Sequence, residues 1–425
     1  MNPALLLAPA MRFPALGRPA NEILRELREL KSGDVFWQGG RAPAFVFKGE
    51  AEVDTIGRAA FAEYFTENAL GATSAFPSVR RLEQEVVAMA LDLFNAPQGA
   101  AGFMTTGGSE SILLAVHASR QHARKRRGRP RHCGNIVAPE TVHPAFDKAA
   151  LLMDLELRRV PVGADLRADL AAIDAAVDDD TLLLVGSAPN FPYGMVDPIA
   201  ELSDMALARN LWLHVDACVG GYLAPFARQL GRPVPAFDFA LPGVHSISAD
   251  LHKYGFCPKP ASTVFYRSAE LAALQPFSFD GWPSGRFITG TAVGTRPAGG
   301  VAAAWAVLQF LGAEGYRRIA AQMLSGVDRA IAGLRAIDGL HIVGEPDLAI
   351  VAWGSETLDA HVIAKQLALK GWQPSLLKRP RAVHRMMSML HVDSLDDYLA
   401  DLRGAVDHVR AGGTDDGQAL QARYS

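Results

Sequence analysis

The sequence predicts an α/β protein, with a large domain built on a mainly parallel sheet and a smaller C-terminal α+β domain. Three observations carry this. At 425 residues the chain exceeds one ordinary core, so two domains are expected. From about residue 100 short apolar runs alternate with helical patterns, the rhythm of strands joined by crossover helices. After about residue 297 that rhythm gives way to alanine-rich helices and closely spaced strands. The expected divisions are an N-terminal segment (1–60), a large domain (61–297), a small domain (298–411) and a frayed tail (412–425).

Residues 23–31 and 55–70 read as helices, and RRLEQEVVAMALDLFN (80–95) as an amphipathic one. AAGFMTTGG is a strand and glycine turn leading into the helix ESILLAVHASRQHARKR. NIVAPE is a strand followed by a helix near 143–152, and LELRRVPV is another strand. TLLLVGSAP, LWLHVDA and HSISAD are apolar runs with polar residues at their C-terminal ends. Sheets of this kind gather ligands beyond those ends, where Asn190, Asp216 and Lys253 fall. The small domain reads as helices over 301–335, antiparallel strands in LHIVGEPDLAIVAWGS and a helix at 359–370. A strand in MMSMLHV and a last helix at 395–410 complete it.

Hydrophobic content of 49% with 20% charged residues describes a globular protein. Lys and Arg number 42 against 45 Asp and Glu, a net charge of −3, which argues against binding nucleic acid or anionic membrane as the main role. RGRP within HARKRRGRPRH (122–132) is similar to a minor-groove AT-hook. Basic residues also suit a helix C-terminus, and the charge balance favours that reading. Cys133, Cys218 and Cys257 form neither a metal spacing nor a disulfide framework, so a reducing cytoplasm is the expected compartment. The apolar N-terminal run lacks a basic leader and is broken by prolines, unlike a signal peptide. No stretch reaches the roughly 20 apolar residues of a membrane span.

The chemistry concentrates in SADLHKYGFC (248–257). A nucleophilic lysine must be deprotonated part of the time, and the apolar run before Lys253 with His252 beside it offers a suitable setting. Asp216 ends a run expected to be buried, where an unpaired carboxylate is costly and asks for a cationic partner. Pyridoxal phosphate provides one, because a carboxylate beside its ring nitrogen keeps that nitrogen protonated. In TTGGSES (105–111), Gly107 and Gly108 open the backbone to an anion, Ser109 adds a hydroxyl, and a helix N-terminus faces the site. The imidazole of His143 can stack on a flat ring. Each feature alone has an ordinary structural reading, but together they describe one cofactor site.

In that order, TTGGSESILLA, APETVHPAFDKAA, APNFPYGMVDP, LHVDACVGGYL, SISADLHKYGFCPK and GTRPAGG resemble signature segments of the sphingosine-1-phosphate lyases. These are group II pyridoxal-phosphate-dependent decarboxylase-like proteins with the aspartate-aminotransferase fold. The resemblance runs from about Asp34 to Leu390. It implies fold type I with a seven-stranded sheet in the large domain, and a homodimer whose active sites are shared between subunits. It also implies that Lys253 carries the cofactor, Asp216 meets its ring nitrogen, His143 stacks on it and Cys218 packs the opposite face. Gly108, Ser109 and His252 would hold the phosphate, and Gly294 and Thr295 would reach it from the other subunit. Ser187 and Asn190 join the cofactor set, and Lys259 matches a second lysine of the lyase site.

The departures from the family fall on the substrate side. Phe47 and Phe287 stand where the lyases carry tyrosines, and Asn68-Ala69-Leu70-Gly71 replaces their N-P-L-H. Asn68, Phe47 and Phe287 are therefore candidate substrate residues in an altered setting. Tyr193, Tyr254 and Trp282 are further candidates, while His214 and the Met386–Met387–Met389 cluster read as core. The expected function is Cα–Cβ cleavage of a β-hydroxy amine, phosphorylated or not, to an aldehyde. The alternative is decarboxylation of an L-amino acid. Retention of Lys253, Asp216 and Lys259 argues against a non-catalytic scaffold.

Overall fold

Runs of Val, Ile, Leu and aromatic residues form the main sheet, because a strand covered on both faces calls for apolar side chains throughout. TLLLVGS and WLHVD are buried at every position. The structure, a computed structural model, describes residues 12–131 and 133–413. The chain falls into two units, Met1–Phe36 and Trp37–Ser425. The first contains helix α1 (Ala20–Lys31), and all elements below belong to the second.

Strands β1 (Ala101–Thr105), β2 (Asn135–Pro139), β3 (Glu156–Val160), β4 (Thr181–Ser187), β5 (Trp212–Asp216), β6 (Val244–Ala249) and β7 (Ser262–Tyr266) make a seven-stranded sheet. Its order is β1-β7-β6-β5-β4-β2-β3. Neighbours from β3 through β6 pair in parallel, whereas β7 is antiparallel to both β6 and β1. Two antiparallel steps return β1 to the direction of β6. The C-terminal ends of β1, β2, β4, β5 and β6 therefore share one edge, and the site lies there. Leu184, Leu213, Val215 and Ile247 are fully buried on this sheet, each contributing roughly 2 kcal/mol of transfer free energy.

The connections and surroundings are helical: α2 (Ala51–Glu63), α3 (Pro77–Leu93), α4 (Gly108–Arg127), α5 (Ala145–Met153), α6 (Leu170–Ala176), α7 (Ile199–Arg209), α8 (Ala224–Gln229) and α9 (Ala269–Ala272). A hairpin of β8 (Phe277–Phe279) and β9 (Phe287–Thr289) precedes the long α10 (Ala298–Arg335). A four-stranded antiparallel sheet follows, with β10 (His341–Ile342), β11 (Ile350–Gly354), β12 (Ser375–Leu377) and β13 (Ala382–Met386) in the order β10-β11-β13-β12. Helix α11 (Ala360–Leu369) packs on β13, and α12 (Met389–Asp393) and α13 (Leu395–Arg410) pack against α10.

Several elements differ from the sequence reading. The helix expected over 55–70 stops at Glu63, and the Asn68 carboxamide accepts from Leu70 N at 3.0 Å to start a separate 3₁₀ turn. A side chain that caps its own backbone competes with helix continuation. MMSMLHV is not a strand: β13 ends at Met386, and Ser388 with His391 forms a reciprocal cap that opens α12. Helix α10 is interrupted at Gly312, whose φ of 53° lies outside the helical region. Met386 and Met387 are buried in the core, and the ring of His214 is held between Ser246 and Ser248 at 2.8 and 3.2 Å.

The basic stretch after residue 122 ends α4. Arg126 and Arg127 donate to the carbonyls of Asn210 and Thr181 at 2.5 and 2.7 Å, which ties this helix end to the sheet. His132 and residues 414–425 lie outside the described residues. Among the described residues no helix is long and apolar enough to cross a membrane.

Candidate active site

A cavity of about 330 Å³ opens at the shared strand edge, within the size range of small-molecule sites. Gly107, Gly108, Ser109, His143, Ser187, Asp216, Cys218, His252, Lys253 and Lys259 all line it. Residues separated by up to 152 positions thus meet in one place (259 − 107). The loop after β1 delivers Gly107 to Ser109, β4 and β5 deliver Ser187 and Asp216 side by side in register, and the turn after β6 delivers His252 and Lys253.

The Lys253 ammonium lies 2.9 Å from the Asp250 carboxylate, which is buried. Ser262 donates to the other Asp250 oxygen at 2.5 Å, Ser111 lies 2.9 Å from Ser262, and Thr105 lies 2.6 Å from Ser111. A line of hydroxyls from β1, α4 and β7 therefore backs the carboxylate. Burial works against the charged form of Asp250, but Lys253, His252 and the Ser262 hydrogen bond outweigh it and hold the carboxyl below its ordinary value.

Asp250→Asn would leave the ammonium without its carboxylate and is expected to destabilise the cofactor-free chain by about 3 kcal/mol at neutral pH. A carboxyl with a depressed folded-state value stabilises above its unfolded range and loses that contribution as pH falls through the depressed value. Urea unfolding of wild type and variant at neutral pH and at about pH 3 checks this, and the gap must narrow in acid.

Asp216 is buried at the end of β5, where it accepts from Cys218 N at 3.1 Å and Ser248 Oγ at 3.3 Å. These bonds fix one carboxylate oxygen toward its own strand end. The Cys218 thiol is pushed well up by burial and by the charges of Asp216 and Asp250, so it remains a neutral packing group. His143 accepts from Ala145 N through Nδ1 at 3.1 Å, which orients its ring. Burial pushes His143 down, against the opposing effect of Asp216, so the imidazole is neutral and suited to stacking.

Helix α4 aims its N-terminus at the same cavity. A Cβ on Gly108 would lie 2.9 Å from both Asp250 Oδ2 and Cys218 Sγ, so only glycine allows the backbone this close. Glu110 pins the preceding loop by accepting from Thr106 N and Oγ1, each at 2.7 Å, and from Ala292 N at 2.9 Å. The first N–H groups of a helix have no intrahelical acceptor. Among the described residues the Ser187 hydroxyl, buried on this wall, has no hydrogen-bond partner. Those donors, with an orphaned hydroxyl, suit a phosphorylated ligand.

The other expected residues lie elsewhere. Asn190 does not line the cavity: its carboxamide accepts from Tyr193 N and donates to Leu166 O, both at 3.1 Å, and so is spent on its own turn. Asn68 donates to Thr295 Oγ1 at 3.3 Å, and both stand with Gly294 outside the cavity formed by their own chain. Phe47 packs edge-on against Tyr254 at 5.1 Å, and Phe287 lies on the hairpin beside Trp282 at 6.1 Å. Tyr254 is buried and donates to Met387 O. Sequence reading missed Asp250, Glu110 and Phe191. Only Asp250 had a visible signal, as an acid three residues before Lys253 after a buried run.

The residues present fit pyridoxal phosphate: an amine, a carboxylate beyond it, an aromatic face and an anion cradle surround one cavity. A family model described as the pyridoxal-dependent decarboxylase conserved domain matches residues 61–354. A protein of Arabidopsis thaliana named sphingosine-1-phosphate lyase is 40% identical over 398 residues, covering 92% of this chain and 72% of that one. A Methanothermobacter thermautotrophicus protein named as a probable L-tyrosine/L-aspartate decarboxylase is 34% identical over 346 residues, covering 80% and 91%. The solved sphingosine-1-phosphate lyase of Burkholderia pseudomallei superposes with a TM-score of 0.91 at 35% identity, covering 97% and 96%. Sequence and fold thus agree, and the chain belongs to the pyridoxal-dependent decarboxylase family, with pyridoxal phosphate as its cofactor.

Proposed function

We propose that this pyridoxal-phosphate-dependent lyase cleaves the Cα–Cβ bond of a β-hydroxy amine of the sphingosine-1-phosphate kind and releases an aldehyde. Lys253 would hold the cofactor, Asp216 its ring nitrogen, and Gly108, Ser109, Ser187 and His252 its phosphate. When bound, the cofactor supplies an electron sink for the pair left on Cα.

The observation that carries the lyase reading is Lys259 in the wall of the Lys253 cavity. Burial pushes its ammonium down, Asp250 opposes this and Lys253 adds to it. A lysine so placed is suited to take the β-hydroxyl proton as the carbon–carbon bond breaks. His143 keeps a neutral ring over the site, and Asp216 would meet the ring nitrogen.

The expected homodimer with shared active sites is part of this proposal. Gly294 and Thr295 line no part of their own chain's cofactor cavity, and Trp282 and Ile288 on the same segment are 52% and 50% exposed. That combination suits a surface that completes a neighbour's site. A cytoplasmic location is proposed because Cys133, Cys218 and Cys257 are all free.

The products decide the reaction. A panel of β-hydroxy amines, phosphorylated and not, and of amino acids should give aldehyde from the former. Carbon dioxide without aldehyde would instead place the protein with its decarboxylase relatives.

A further inference from the structure

A second chamber of about 730 Å³ adjoins the cofactor cavity and shares His143 and Phe191 with it. Val160, Leu376 and Leu377 make its walls largely apolar. We propose that this chamber takes the part of the substrate beyond the β-carbon, and that this part is an apolar chain ending in an anion. The proposal rests on the lyase reading and adds the substrate class.

The charge at its outer rim comes from the loop after β12. Lys378 and Arg379 are exposed there, and among the described residues no carboxylate pairs with either. Tyr193 anchors the loop by donating to the Arg379 carbonyl. Across the chamber Arg159 is committed to Asp147 and to the carbonyls of Glu140 and Val142, and among the described residues Glu140 is the single acid in the lining. The unpaired rim is therefore cationic.

A second observation points to a ligand. His384 is buried in the chamber wall, its ring 4.5 Å from that of Phe191. Nδ1 donates to the Pro192 carbonyl at 3.3 Å, while among the described residues Nε2 is buried without a hydrogen-bond partner. Burial pushes this histidine down to about 4, so Nε2 is a bare acceptor at neutral pH. A buried acceptor without a donor is costly, and a polar group within an entering chain would satisfy it.

The test uses the cofactor-loaded chain and three β-hydroxy amines: a short one, one with a medium-length chain ending in methyl, and its match ending in carboxylate. The carboxylate-ended amine is expected to show roughly tenfold higher kcat/KM than the methyl-ended one. The double variant Lys378→Glu/Arg379→Glu should erase or invert that ratio. A wild-type ratio near one, or a ratio unchanged in the variant, overturns the proposal. Calorimetric titration with the carboxylate-ended chain lacking an amine gives a second readout, with binding expected in wild type and lost in the variant. If even the short amine is not cleaved, the lyase reading falls, and the titration still decides the chamber.

Discussion

Lys253→Ala is expected to abolish covalent retention of the cofactor and to lower turnover by at least about 10³-fold. Lys259 lies in the same wall, but its ammonium is held by different backbone, six residues on, and Asp250 contacts Lys253 at 2.9 Å. The check is borohydride treatment of loaded wild type and variant, followed by mass analysis of the tryptic peptide that contains residue 253. A cofactor mass retained on that peptide in the alanine variant, or a colourless wild type that cannot be loaded, would defeat the proposal.

Asp216→Asn is expected to leave cofactor binding largely intact while lowering kcat by about 10²–10³-fold. The substitution keeps shape and the acceptor used by Cys218 N and Ser248 Oγ, so the strand end should hold. It removes the negative charge, and with it the preference for a protonated ring nitrogen, on which the electron sink depends. Equilibrium dialysis of the cofactor, set beside steady-state kinetics, separates the two effects. A parallel loss of binding and rate would assign Asp216 to anchoring. An unchanged rate would remove it from the chemistry.

Much of this architecture is legible in local composition. Apolar runs ending in a polar residue identify β4, β5 and β6, because burial on both faces excludes charge until the strand leaves the sheet. The same rule places Asp216 and Lys253 at ligand-facing ends. The misreadings came where a side chain overrides periodicity, as when Asn68 and Ser388 start new turns inside apolar patterns.

The sequence by itself determined the inventory: a lysine after a buried strand, an acid ending its neighbour, a glycine turn before a helix, and a histidine in a strand-to-helix loop. Those depend on short-range order, which composition and spacing record. Tertiary structure alone decided which of them share a wall. It drew Ser262 and Ser111 behind Asp250, spent Asn190 on its own turn, and set the Lys378–Arg379 loop beside the same histidine that lines the cofactor cavity. Distances between residues far apart in the chain follow from strand order and register, and no local pattern encodes those.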